Sequence, residues 1–308
     1  MLNIYKTIDG KIQELSEFQD GSWVNLVSPT KEELGIVHSA LGTDMNFLLA
    51  ALDEEETSRL EQEEEQTLII VDVPVAENDT STILYSTMPL ALILTPQNVI
   101  TVSLKEVAPL AEIADGLVKD FDTTLRTRFM LKLFLRIATR YLQYLRKIDK
   151  MSTFVERQLY KSQRNKELIQ LLGLEKSLVF FSTSLKATEV TLEKIFRGRI
   201  IKMYEEDADL MEDVLIEFRQ AIEMANIYSS ILSGTMDAFA SVISNNLNVI
   251  MKILTSITII MTVPNIIFGF FGMNVELPLQ GWGVFLPSGV TIVIMVILWI
   301  ILKKKDLF

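Results

Sequence analysis

From Ser230 to Gly272, every third or fourth residue, Met251 excepted, is small or carries a hydroxyl, an amide or, once, a carboxylate. The series is Ser230, Gly234, Asp237, Ser241, Ser244, Asn248, Met251, Thr255, Thr258, Thr262, Asn265, Gly269 and Gly272. Counted as heptads, these are the a and d positions, which a coiled coil fills with apolar side chains. Only Met251 fits that rule. The neighbouring faces carry Ile243, Leu247, Ile250, Leu254, Ile257, Met261 and Ile266. One face is therefore suited to water or to close packing, and the others to lipid or protein.

Two readings compete. In one, small and hydroxyl residues let two membrane spans pack, with Thr bonding to its own backbone. In the other, several copies of the segment surround an axis and the stripe lines a pore. Asn248 and Asn265 favour the pore, because an amide facing lipid is costly. A sustained period near 3.5 is also a property of parallel bundled rods. One hairpin per chain makes a pore only in a cyclic oligomer. The stripe has no carboxylate within the apolar stretch. Hydroxyls, amides and carbonyls suit a hydrated ion, and Mg2+ sheds water reluctantly.

The elements that must position this stripe follow from where charge is missing. The 308 residues hold 40 acidic and 29 basic side chains, a net charge of −11, yet 49% are hydrophobic and the mean hydropathy is +0.30. The two are segregated. Residues 241–308 contain Lys252, Lys303, Lys304, Lys305, Glu276 and Asp306, a charge of +2, which leaves −13 for residues 1–240. No charge interrupts 253–275 or 277–302. A bilayer-spanning helix needs about 20 apolar residues, so two spans are expected, near 250–273 and 284–302, with an outer loop over 275–283. That loop lacks Lys and Arg, whereas lysines flank the other ends. The positive-inside rule then places both termini and the acidic body in the cytoplasm. The first residues show no secretory signal pattern.

Before the spans, apolar β-branched runs predict strands near 2–8, 22–27, 67–75, 80–86, 88–95 and 98–103. Thr30 with Glu33 forms a capping-box pattern opening a helix through His38. The acids Asp53–Glu56, Glu61 and Glu63–Glu65 read most simply as a solvated face. From about 124 the pattern turns helical, over 124–165, 167–197 and 206–273, with Gly173 and Gly198 as weak points. The last segment runs from acidic sequence into the first span with no turn signal. At about 1.5 Å per residue it is a rod of about 100 Å.

Composition excludes several functions. There are no cysteines and one histidine, His38, which removes thiolate metal sites and most His-dependent catalysis. Acidity argues against nucleic acid and for cations. No nucleophile–base pair or nucleotide-binding motif points to an enzyme or to nucleotide. A membrane-tethered scaffold without conduction remains open.

Gly272-Met273-Asn274 closes the first span, 34 residues before the C-terminal Phe308. With Ser244-Asn245-Asn246-Leu247-Asn248, Met251-Lys252-Ile253-Leu254-Thr255, Trp23 and the acidic segment 205–217, the chain resembles the CorA family of magnesium transporters. The resemblance implies an α/β cytoplasmic domain (1–122), a helical domain and stalk (123–240) and a two-helix transmembrane pore module (241–308), assembled as a cyclic homopentamer in the cell membrane. It implies that Gly272, Met273 and Asn274 form the selectivity filter, with Asn274 touching the hydrated ion. It places Asn248, Met251, Leu254, Thr255, Thr258, Thr262, Asn265 and Gly269 along the pore. It implies cytoplasmic Mg2+ bound between subunits at Asp213, with Glu77 or Asp79 as partner, holding the channel closed. The outer loop departs from the family pattern, keeping only Glu276 before Leu277-Pro278-Leu279, and Pro264 stands shifted in the first span. Co2+, Ni2+ and Zn2+ are alternative cargoes; Met273 in the signature favours Mg2+.

Overall fold

The structure, a computed structural model, describes residues 1–78, 83–118, 121–162, 165–198, 201, 204–273 and 285–305. The chain divides into two compact units, Met1–Gly234 and Thr235–Phe308.

The first unit is built on a seven-stranded sheet. Its strands are β1 (Leu2–Ile8), β2 (Lys11–Leu15), β3 (Trp23–Val27), β4 (Arg59–Glu63), β5 (Gln66–Asn78), β6 (Ile83–Leu94) and β7 (Val99–Ser103). The spatial order is β2-β1-β3-β7-β6-β5-β4, with only β3 and β7 parallel. The central strands are buried on both faces, so β7 is buried at every position with no alternation, Thr101 and Ser103 included. One face packs on helices α1 (Lys31–Leu41) and α2 (Met45–Ala50), where Leu34, Val37, Phe47 and Leu48 meet Val24, Leu26, Leu68 and Ile70. Thr30 and Glu33 complete the capping box of α1, and Gly42 ends it in the left-handed conformation. His38 Nδ1 lies 2.7 Å from the Thr43 carbonyl, an exposed helix-end contact.

The other helices are α3 (Ala108–Ala114), α4 (Arg126–Ser162), α5 (Asn165–Gly198), α6 (Glu205–Phe271) and α7 (Phe285–Lys304). Trp23 is fully buried, stacks between Tyr5 and Phe129 of α4, and donates Nε1–H to Thr101 Oγ1 at 2.8 Å. Long β5 and β6 extend past β4 and β7, whose pairing covers only Gln66–Ile70 and Leu90–Leu94. Pro74 and Pro89 both lie in that two-stranded extension, where a missing N–H breaks no third-strand bond. This is why one strand runs through 83–94, where two were expected.

Helix α5 covers the extension through hydroxyls. Ser177 Oγ accepts from the Tyr85 N–H at 3.1 Å, Ser184 meets Thr87 at 2.9 Å, and Thr188 meets Ser58 at 3.1 Å. Tyr141 and the half-buried Asp72 sit beside this seam. Burial raises both their pKa values, and a hydrogen bond to Ser184 partly opposes the rise at Asp72. Gly173 is not a weak point in α5. A Cβ there would come within 2.8 Å of Leu84 Cδ2, so the glycine admits β6. By composition α5, α6 and α7 are each long and apolar enough to cross a membrane. The apolar window of α5 is 39% buried, against 6% and 17% for α6 and α7, so α5 is a core helix.

Candidate functional site

The site is a face of α6, and its register can be followed residue by residue. Within the first unit, Met211, Val214, Leu215, Phe218, Ala221, Ile222 and Ala225 are buried. In the heptad count that makes Thr255 an a position, these occupy b, c and f. Arg219 fixes this stretch to α5, its Nε on Glu189 Oε1 at 2.8 Å and its Nη2 on Glu193 Oε1 at 2.7 Å. Ser182 adds a bond to Asn226 at 3.0 Å.

Within the second unit, the covered residues of α6 again fall on b, c and f. Ser256 is 1% exposed, and Ile260, Val263, Pro264, Ile267 and Phe271 are half-buried. Helix α7 buries one face of its own through Pro287, Thr291 and Leu302. The helix continues through Pro264 to Phe271.

The a and d positions are the converse. Ser230, Gly234, Asp237, Ser241, Ser244, Asn248, Met251, Thr255, Thr258, Thr262, Asn265, Gly269 and Gly272 are all exposed. So are the acidic a and d residues nearer the start of α6, namely Glu206, Asp209, Asp213 and Glu223. Leu254, flanking the stripe, is 56% exposed. The polar face is therefore the uncovered one within the second unit. Thr258 and Thr262 do bond to their own backbone, donating to the carbonyls of Leu254 and Thr258, each at 2.8 Å. A hydroxyl that donates backwards turns its lone pairs outwards. Such an oxygen accepts from the water shell of a cation, whose protons all point away from the metal.

At the far end, Gly272 N donates to Phe268 O at 2.9 Å and Met273 N to Phe270 O at 3.3 Å, tightening the last turn. A Cβ on Gly272 would come within 3.1 Å of Phe268 O. Met273 is 57% exposed. Asn274 and Glu276 lie outside the described residues, as does Asp79. Glu77 accepts from Ser86 Oγ at 3.1 Å and lies 3.8 Å from Lys105 Nζ. Among the described residues no group of three or more His, Asp or Glu side chains is placed to hold a metal.

Residues 18–304 match the family model described as CorA-like Mg2+ transporter protein. The chain belongs to the CorA family. A cobalt/magnesium transport protein CorA from Methanocaldococcus jannaschii is 30% identical over 97% of this chain and 95% of its own length. The Thermotoga maritima protein of the same name is 27% identical over 54% of this chain and 48% of its own length. The complete structure of the CorA magnesium transporter from M. jannaschii superposes with a TM-score of 0.86 at 25% identity, covering 99% of this chain and 98% of that one. The full-length CmaX protein matches at a TM-score of 0.72 and 16% identity over 98% and 96% of the two chains, a likeness of fold. The α/β sheet with long helices is thus the CorA fold.

Proposed function

We propose that this chain assembles as a cyclic homopentamer whose α6 helices surround a pore for divalent cations, and that the physiological flux is Mg2+ entering the cell. The observation that carries the reading is the open face of α6. Every a and d position from 230 to 272 is uncovered and small or polar, Met251 excepted, while the residues of this stretch that are covered all fall on b, c and f. Parallel copies meeting along a and d enclose that face, and their hydroxyls, amides and carbonyls accept hydrogen bonds from a hydrated ion. Residues 1–240 form the cytoplasmic body and 241–308 the pore module, with both termini cytoplasmic. Gly272, Met273 and Asn274 form the filter. Asn248, Met251, Leu254, Thr255, Thr258, Thr262, Asn265 and Gly269 line the path, and Glu276 stands at its mouth.

The driving force is the membrane potential. A divalent ion falling through 100 mV gains about 4.6 kcal/mol, twice the value for one charge. Closure uses the excess acid of the body. Five bodies of −13 repel one another around an axis, and Mg2+ bound at Asp213 with Glu77 or Asp79 of a neighbour relieves that repulsion. Glu77 is available for this role, because its contact with Lys105 is long and exposed and contributes little. As internal Mg2+ falls, the sites empty and the ring loosens, since the ion binds the closed state more tightly. Co2+ is a second cargo, favoured by the name of the M. jannaschii relative.

The test is Mg2+ and Co2+ uptake by the purified oligomer in liposomes. Asn274→Ala is expected to lose selective uptake; undiminished selective uptake overturns the filter. Asp213→Lys is expected to remain open at high internal Mg2+. Closure identical to the wild type removes Asp213 from the gate.

A further inference from the structure

Helix α7 ends in Lys303, Lys304 and Lys305, all exposed, and Lys303 Nζ lies 5.0 Å from the centre of the Trp299 ring. Trp299 itself is 47% exposed. On α6, Lys252 is exposed too. Among the described residues none of these four lysines has a carboxylate within salt-bridge range. On α6 the nearest acid before Lys252 is Asp237, about four turns away.

Lys252 and the first of the α7 lysines also lie at matching distances along their own helices. Lys252 lies 19 residues before the end of α6, and Lys303 lies 18 residues after the start of α7. At about 1.5 Å per residue these are rises of roughly 27–29 Å, from the end of α6 to Lys252 and from the start of α7 to Lys303. That is the thickness of a bilayer's hydrocarbon core, about 30 Å. Lysines at this height reach the headgroup layer, and an indole one turn deeper sits at the ester boundary, where Trp is favoured.

We propose that Trp299, Lys303, Lys304 and Lys305, with Lys252 adding to their field, bind the phosphodiester headgroups of anionic phospholipids at this end of the second unit. Charge complementarity selects the occupant, for among the described residues the four cations have no acid in range, and a phosphodiester supplies the opposite charge. The Lys303–Trp299 contact orients one ammonium and leaves the indole N–H to donate to a phosphate or ester oxygen. The lipid holds the end of α7 in place, next to the stretch of α6 where the pore leaves the membrane. The inference needs both helices to cross a bilayer and is independent of which cation passes.

The experiment uses the full-length protein in nanodiscs of phosphatidylcholine with rising phosphatidylglycerol, with bound lipid counted by native mass spectrometry after release into detergent. The wild type is expected to retain phosphatidylglycerol in preference to phosphatidylcholine, and the preference is expected to shrink with salt. Each lysine near the surface strengthens binding about fivefold, so Lys303→Gln, Lys304→Gln and Lys305→Gln together weaken retention on the order of a hundredfold. Trp299→Leu weakens it by a smaller factor. Equal retention of the two lipids by the wild type overturns the proposal without any variant. So does retention unchanged in the triple variant, or displacement of the lipid by millimolar inorganic phosphate, which makes the site one for soluble anions. Cation uptake in the same samples separates failure of this inference from failure of the pore reading.

Discussion

Two threonines in the second unit form a matched pair. Thr262 and Thr291 each donate a side-chain hydroxyl to the carbonyl four residues back, at 2.8 and 2.7 Å. They differ in what lies around them. Thr262 is exposed on the a/d face of α6, and Thr291 is 5% exposed on the covered face of α7. Replacing either by Val keeps the shape and the branched Cβ and removes one oxygen. On the proposed ion path, the oxygen lost at Thr262 is an acceptor for the ion's water shell. A neutral hydrogen bond contributes about 0.5–1.5 kcal/mol net, and one polarised by a cation about twice that. If a hydrated ion leans on one such oxygen at its barrier, Thr262→Val slows Mg2+ uptake by roughly fivefold to a hundredfold. Thr291→Val is expected to leave uptake within about twofold, because its hydroxyl bonds only its own helix. The assay is initial Mg2+ uptake into liposomes at equal protein loading, with the oligomer checked by gel filtration. Wild-type uptake by Thr262→Val together with impaired uptake by Thr291→Val would refute the assignment of the polar face to the ion path.

Asp72 gives a pH signature. Its folded pKa lies above the ordinary carboxylate value through desolvation, so the folded state holds a proton that the unfolded chain has released. Thermal stability of the full-length protein in detergent should therefore fall as pH rises from the ordinary carboxylate range through the folded value, then level off. Asp72→Asn should flatten that fall, and an unchanged profile would count against the desolvation account. Trp23→Phe should lower the apparent melting temperature by roughly 3–10 °C, from about 1–3 kcal/mol of lost hydrogen bond and volume. A shift under 1 °C in a circular-dichroism melt would show that the bond to Thr101 contributes nothing net.

Much of this architecture was legible because the chain segregates its signals. The capping box at Thr30 and Glu33, the uncharged stretches and the heptad stripe each depend on near neighbours in sequence. The stripe's period distinguished one face of α6 from the rest, but not which face is covered within the second unit. That required burial, and Ser256 at 1% exposure supplied it. Strand β2 escaped notice although Asp9-Gly10 is a two-residue hairpin signal, with φ of 51° and 75°. Strand β4 was hidden by its acids. An edge strand needs no apolar outer face, and charge there discourages pairing with another chain. Gly173 looked like a helix breaker because the partner that requires it, Leu84, is far away in sequence.

Helix α5 raises a sorting problem during synthesis. A ribosome delivering this chain to a membrane presents, among the described residues, three segments apolar enough to insert. The first of them belongs on the sheet. All seven strands precede α5 in the chain, so a docking surface is complete before α5 emerges, and N-terminal regions fold first as the chain is made. The hydroxyls of Ser177, Ser184 and Thr188 then find partners on Tyr85, Thr87 and Ser58 that lipid cannot supply. Weakening that seam is a route to an inverted or mistargeted chain, even where the finished fold would tolerate the change.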